Sequence, residues 1–171
     1  MDLKEVDNIV LVIGKTEGHI DQSVFARNIL DEKNGPPPEV NLFNEKNNGE
    51  TVLKLIDAGL IKSAHDVSLG GIITAISKMC IKGNKGIDLK KPKYLISDIG
   101  YFFSEDQGRY LIEVTKKDLK KVTNVLDKNA VHYDELGVII EDQLYINEKS
   151  KITIDELKSS NTSWLNNYMD N

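Results

Sequence analysis

The chain has 171 residues and a single cysteine, and its 27 acidic against 22 basic side chains leave a formal net charge of −5. That length can bury a core without staples, one cysteine excludes an internal disulfide, and an acidic balance with scattered lysines argues against nucleic acid as a main partner. The aliphatic runs are too short to cross a bilayer and the start Met-Asp-Leu-Lys-Glu lacks a signal-peptide profile, so one domain over residues 1–171 in a reducing, cytoplasmic compartment is expected.

Asn8 to Ile13 is an unbroken aliphatic run stopped by Gly14, the pattern of a buried strand. A polar, glycine-bearing loop follows through Ser23, and then a helical pattern through Val24, Ala26, Arg27 and Leu30. Gly14-Lys-Thr is no phosphate loop, because a strand stands where the glycine-rich turn would have to be. Gly35-Pro-Pro-Pro38 breaks any element and is read as surface linker or a wall against a partner. Asn41 or Asn44 can then open a helix with Val52, Leu53, Ile56 and Leu60 as its apolar stripe and Gly59 near its end.

Ile61 to Val67 reads as a short strand carrying His65 and Asp66. Ser68 is expected to cap a helix that buries Ile72, Ile76, Met79 and Cys80. Gly70 and Gly71 in its first turn allow two readings, close helix–sheet packing or a cradle for an anion on free amides. His65 and Asp66 likewise serve either backbone at a strand end or a ligand.

Lys82 to Gly86 is a turn and Ile87 to Leu89 a short edge strand, while Tyr94 to Gly100 carries no clear pattern. Tyr101 to Val114 reads as two apolar strands around the polar interruption Ser104 to Gly108, which is either solvated turn or substrate contact. Thr115 and Asp118 form a capping box before an amphipathic helix through Leu119, Val122, Val125 and Leu126. Val131 to Tyr133, Leu136 to Ile140 and Gln143 to Ile146 are read as strands, with His132 on the surface, and Asp155 to Leu157 starts a last helix. The bulky residues of Trp164 to Met169 are expected to pack on the domain or on a neighbour. Strands alternating with amphipathic helices, and consecutive strands late in the chain, give an α+β fold with a mixed, largely antiparallel sheet covered by helices.

Four segments, Gly18-His-Ile-Asp-Gln-Ser23, Pro36-Pro-Pro38, Ala64-His-Asp-Val-Ser-Leu-Gly-Gly71 and Phe103-Ser-Glu-Asp-Gln-Gly-Arg-Tyr110, together resemble the carboxy-terminal domain of phosphoribosylformylglycinamidine synthases. The tail Trp164-Leu-Asn-Asn-Tyr-Met169 is similar to that of the small bacterial form. The resemblance implies an aminoimidazole-ribonucleotide-synthase-like α+β fold and a part in an ATP-dependent ligase of purine synthesis. That ligase converts formylglycinamide ribonucleotide, with ammonia from glutamine, to formylglycinamidine ribonucleotide.

It further implies that the catalytic residues, ATP and most of the magnesium ligands belong to separate ATP-binding domains, with a glutaminase and a small accessory subunit as partners. This domain would supply one wall of the cleft and be inactive alone. By resemblance Glu105, Asp106, Gln107, His19, Ser23, Gly70 and Gly71 contact substrate or nucleotide, and Asp66 serves magnesium. The polar turns near 66 and 105 are then expected to converge on one side of a single sheet. Asp21, where the pattern has glycine, and Leu69, where an acid is common, depart from it. The rival expectation is a non-catalytic interaction module with the same fold.

Overall fold

The computed structural model describes residues 1–93, 96–147 and 149–169, the side chains of 165–167 excepted. In chain order the elements are β1 (Ile9–Ile13), α1 (Val24–Asn28), α2 (Leu42–Asp57), β2 (Ser63–Val67), α3 (Gly71–Gly83), β3 (Gly86–Leu89), α4 (Asp98–Phe103), β4 (Arg109–Val114), α5 (Leu119–Lys128), β5 (Tyr133–Ile140), β6 (Gln143–Ile146), β7 (Ser150–Thr153) and α6 (Ile154–Met169). The strands form one sheet ordered β2-β4-β1-β5-β3-β6-β7, antiparallel except for the parallel β3–β6 pair. The fold is therefore the α+β, mostly antiparallel arrangement that the sequence pattern implies.

β1 lies inside the sheet between β4 and β5, and all five of its residues are buried. Successive side chains point to opposite faces of a strand, so this unbroken apolar run feeds two cores. Val10 and Val12 join Ile72, Ile76 and Met79 of α3 and Tyr101 and Phe102 of α4. Ile9, Leu11 and Ile13 join Val52 and Leu55 of α2 and Val122 and Leu126 of α5 on the other face. Behind β4 the buried Glu113 carboxylate accepts from the backbone of Lys4 and Glu5, from Asn8 Nδ2 and from Ser63 Oγ. It ties the segment before β1 to the sheet.

Several expectations need correction. Tyr101 to Phe103 are not strand: Ser97 caps α4 by accepting from the Gly100 amide, and burying Tyr101 and Phe102 against α3 favours the helix. Ser68 does not cap α3, because the left-handed Gly70 (φ 82°) takes that place and the Ser68 carbonyl accepts from the Gly71 amide. α2 buries Asn48, Thr51, Val52 and Leu55; of the expected stripe Val52 is buried and Leu60 packs on the same core, while Leu53 and Ile56 face solvent.

Residues 133–140 make one strand, with a register shift opposite Val10 and Leu11 that absorbs Leu136 as a bulge. β7 was not expected. Trp164, Tyr168 and Met169 are exposed and so do not pack on this domain, which leaves a neighbour as their expected surface; the side chains of Leu165, Asn166 and Asn167, and residues Tyr94 and Leu95, lie outside what is described. Only half of the expected Thr115–Asp118 box forms: the Asp118 amide donates to Thr115 Oγ1, but Asp118 Oδ2 accepts from the Thr115 hydroxyl rather than its amide, and Asp118 itself takes the cap position of α5.

Candidate functional site

Antiparallel pairing of β2 with β4 sets Val67 opposite Arg109, so the turn leaving β2 and the turn entering β4 stand at the same end of the sheet. They are joined directly. One oxygen of Glu105, Oε1, accepts from the Gly70 amide at 2.8 Å and from the Val24 amide at 2.7 Å, which places a carboxylate at the starts of α3 and α1. The Gly70 and Gly71 amides are thus both taken internally. A Cβ on Gly71 would lie 2.5 Å from the Ser104 carbonyl oxygen, with its own φ at +71°, so this glycine is needed for close packing.

Asp106 is buried and both its oxygens are occupied. Oδ2 accepts from the Glu17 and Gly18 amides and the Ser104 hydroxyl, and Oδ1 accepts from the His19 amide. Three consecutive loop amides on one carboxylate fix the course of the 14–23 loop. Arg109, 1% exposed, braces the same corner. Its guanidinium donates to the carbonyls of Asp106 and Ser104 and to Thr16 Oγ1, 3.8 Å from Asp106 Oδ2. Burial draws its pKa below the ordinary range, and the charge of Asp106 opposes that shift.

The loop so held forms one side of an open, polar cleft of about 640 Å³, large enough for a nucleotide-sized ligand. Lys15 and His19 of the loop line it, as do Asn41, Asn44 and Asn48 of α2, Gln107 of the turn, and His132 just before β5. Asn41 caps α2 by accepting from the Asn44 amide, and Asn48 Nδ2 donates to the Gly108 carbonyl. His19 Nε2 lies 2.9 Å from the Pro36 carbonyl, pinning the triple-proline segment beside the cleft. The Gln107 carboxamide is exposed and donates to the Glu105 carbonyl at 3.3 Å.

Of the residues singled out from the sequence, His19, Asp106 and Gln107 line the cleft. Gln107 alone of the Glu105-Asp106-Gln107 run has its side chain open to a ligand, since the two acids serve the protein's own amides. Ser23 is fully buried and caps α1 through the Ala26 amide. Asp66 sits at the end of β2 with its side chain 63% exposed, beside His65 and across from Tyr110, and it does not line the cleft. Burial, then Glu45 and Asp66, push the Tyr110 hydroxyl up.

Among the described residues no three His, Cys, Asp or Glu side chains converge on one point, so a magnesium served by Asp66 would need its ligand set completed from elsewhere. The sequence presents Asn41 and Asn44 only as helix starts, and does not single out Asn48. Their spacing at 41, 44 and 48 is one polar helical stripe, a signal that attention to the apolar stripe hid.

The fold matches a known class. The chain belongs to the family of AIR synthase related proteins, C-terminal domain, whose pattern it fits over residues 5–147. It is 68% identical over all 171 residues to the phosphoribosylformylglycinamidine synthase subunit PurL of Pelagibacter ubique, and 35% identical over 168 residues to that of Bartonella bacilliformis. It spans 23% and 22% of those two proteins. The fold superimposes on a Thermotoga maritima PurL complexed with FGAR at a TM-score of 0.72, with 19% identity over 91% of this chain and 28% of that one. A thiamine-monophosphate kinase from Stenotrophomonas maltophilia shares the fold at a TM-score of 0.57, covering 85% of this chain and 52% of the kinase.

Proposed function

We propose that the chain acts as the carboxy-terminal domain of a phosphoribosylformylglycinamidine synthase subunit, supplying one wall of its nucleotide and substrate cleft. The 68% identity along its whole length to the Pelagibacter subunit carries this reading. The reaction is an amidation in which ATP phosphorylates an amide oxygen and glutamine-derived ammonia displaces phosphate, in the cytoplasm. Positioning and charge stabilisation account for most catalysis of phosphoryl transfer.

The carboxamides of Asn41, Asn44 and Gln107 offer donors and acceptors together, which suits orienting an uncharged amide or a ribose hydroxyl. Magnesium would supply charge neutralisation at the phosphates, with most of its ligands, and ATP, held by the remaining domains. A glutaminase and a small accessory subunit would deliver the ammonia; the fold is also found in PurLQS from Thermotoga maritima. The engagement of Glu105 Oε1 and of both Asp106 oxygens by the protein's own amides favours a second reading, a structural module of the same fold that touches no substrate.

A chimera decides between them. This chain replaces the matching quarter of the Pelagibacter subunit, and ammonia-dependent amidation is assayed. The expected result is activity in the chimera, none in the isolated chain, and a several-fold higher KM for Gln107→Ala. A folded chimera without activity overturns the first reading, and an unchanged KM removes Gln107 from the site.

A further inference from the structure

Along residues 39–44 the backbone serves two surfaces. Glu39, Asn41 and Asn44 line the cleft, while Val40, Leu42 and Phe43 between them are 52%, 76% and 77% exposed. The cleft therefore has an apolar rim on its α2 side. That rim is already ordered, because Asn41 caps α2 and His19 fastens the proline segment leading to it. Presenting a fixed patch avoids most of the ordering cost of an interface. Its surroundings are acidic: residues 31–50 carry Asp31, Glu32, Glu39, Glu45 and Glu50 against Lys33 and Lys46.

We infer that this rim, centred on Leu42 and Phe43, is where the remainder of a longer subunit seats, through a face apolar at its centre and basic at its border. The inference rests on the proposed function and adds the partner's docking surface to it. Two observations choose that occupant. The Pelagibacter relative has more than three quarters of its length outside the span of this chain, so in such a subunit a large body of polypeptide is at hand to cover this face. The rim is also continuous with the open cleft, so a body seated there closes the open side and provides a second wall. The exposed pair Leu53 and Ile56, farther along α2, does not line this cleft and serves as the internal comparison.

Thiol labelling tests the assignment. The native Cys80 is fully buried and burial pushes its thiol up to about 12, so it is silent towards maleimide at neutral pH. Phe43→Cys, Leu42→Cys and Leu53→Cys are made in the isolated chain and in the chimera with the Pelagibacter subunit. Labelling at 42 and 43 is expected to slow at least tenfold in the chimera, with position 53 unchanged within twofold.

Equal rates at 42 and 43 in both proteins overturn the docking surface. So does protection in the isolated chain that grows with its concentration, which would identify a second copy as the occupant. Reading either position suffices should the other variant perturb folding. The amidation assay keeps the two conclusions apart: an active chimera freely labelled at 42 and 43 refutes the docking surface alone, and an inactive one protected there refutes the function alone.

Discussion

At the level of single residues, the Ser104 to Gly108 turn shows how a run of acids can look like a ligand site and act as a staple. Asp106 gathers the Glu17, Gly18 and His19 amides on one buried carboxylate. Removing it leaves three amides and the Ser104 hydroxyl short of their acceptor and Arg109 without its nearest charge. An unsatisfied buried donor costs about 1–3 kcal/mol, and the loop can recover part by admitting water. Asp106→Ala is therefore expected to lower stability by about 3 kcal/mol in urea titration, against at most about 0.5 kcal/mol for the exposed Gln107→Ala. Similar losses for both would mean that Asp106 does not hold the loop. The chemical type of these residues was legible in the sequence, but their partners were not. The amides that Asp106 serves lie 87 to 89 positions earlier, and no local pattern announces them.

At the level of elements, α3 follows from the recurrence of Ile72, Ile76, Met79 and Cys80 at helical spacing, and all four are buried. Its start was harder to read, because Ser68 has the chemistry of a cap while the chain turns through left-handed Gly70 and Gly71 instead. The pressure comes from α4, whose last carbonyls lie where a Cβ of residue 71 would fall. Gly71→Ala should cost about 2–4 kcal/mol, combining backbone strain with overpacking. Gly59→Ala, also at positive φ but with open space around it, should cost only about 1 kcal/mol. Equal midpoint shifts in denaturation would show that the contact with α4 is easily relieved. α4 itself was hidden for a related reason. Three consecutive aromatic residues at 101–103 span less than one helical turn, so they carry no period to separate helix from strand.

Across the whole molecule, the fold class was legible because amphipathic helices and apolar strands alternate, and because β1 has no polar residue on either side. The order of strands was not. Pairing of β1 with β4 and β5 is decided by which surfaces close two cores at once, and β7, with the sequence Ser-Lys-Ile-Thr, has too little apolar content to be seen before its neighbour β6 is placed. The cleft was legible only in part, since one side belongs to the 14–23 loop and another to a polar helical stripe on α2 that meets it from about 30 residues away.

The central position of β1 has a consequence for synthesis. A ribosome delivers this strand among the first residues of the segment, yet neither neighbour exists until residues 109–114 and 133–140 have emerged. Loop closure over such separations is slow relative to local folding, and unpaired apolar strands invite aggregation meanwhile. Nascent chains stopped at residue 130 should accordingly remain protease-sensitive and bind a holdase chaperone, whereas release of all 171 residues should give resistance; early resistance at 130 would mean that the β1–β4 half condenses without β5.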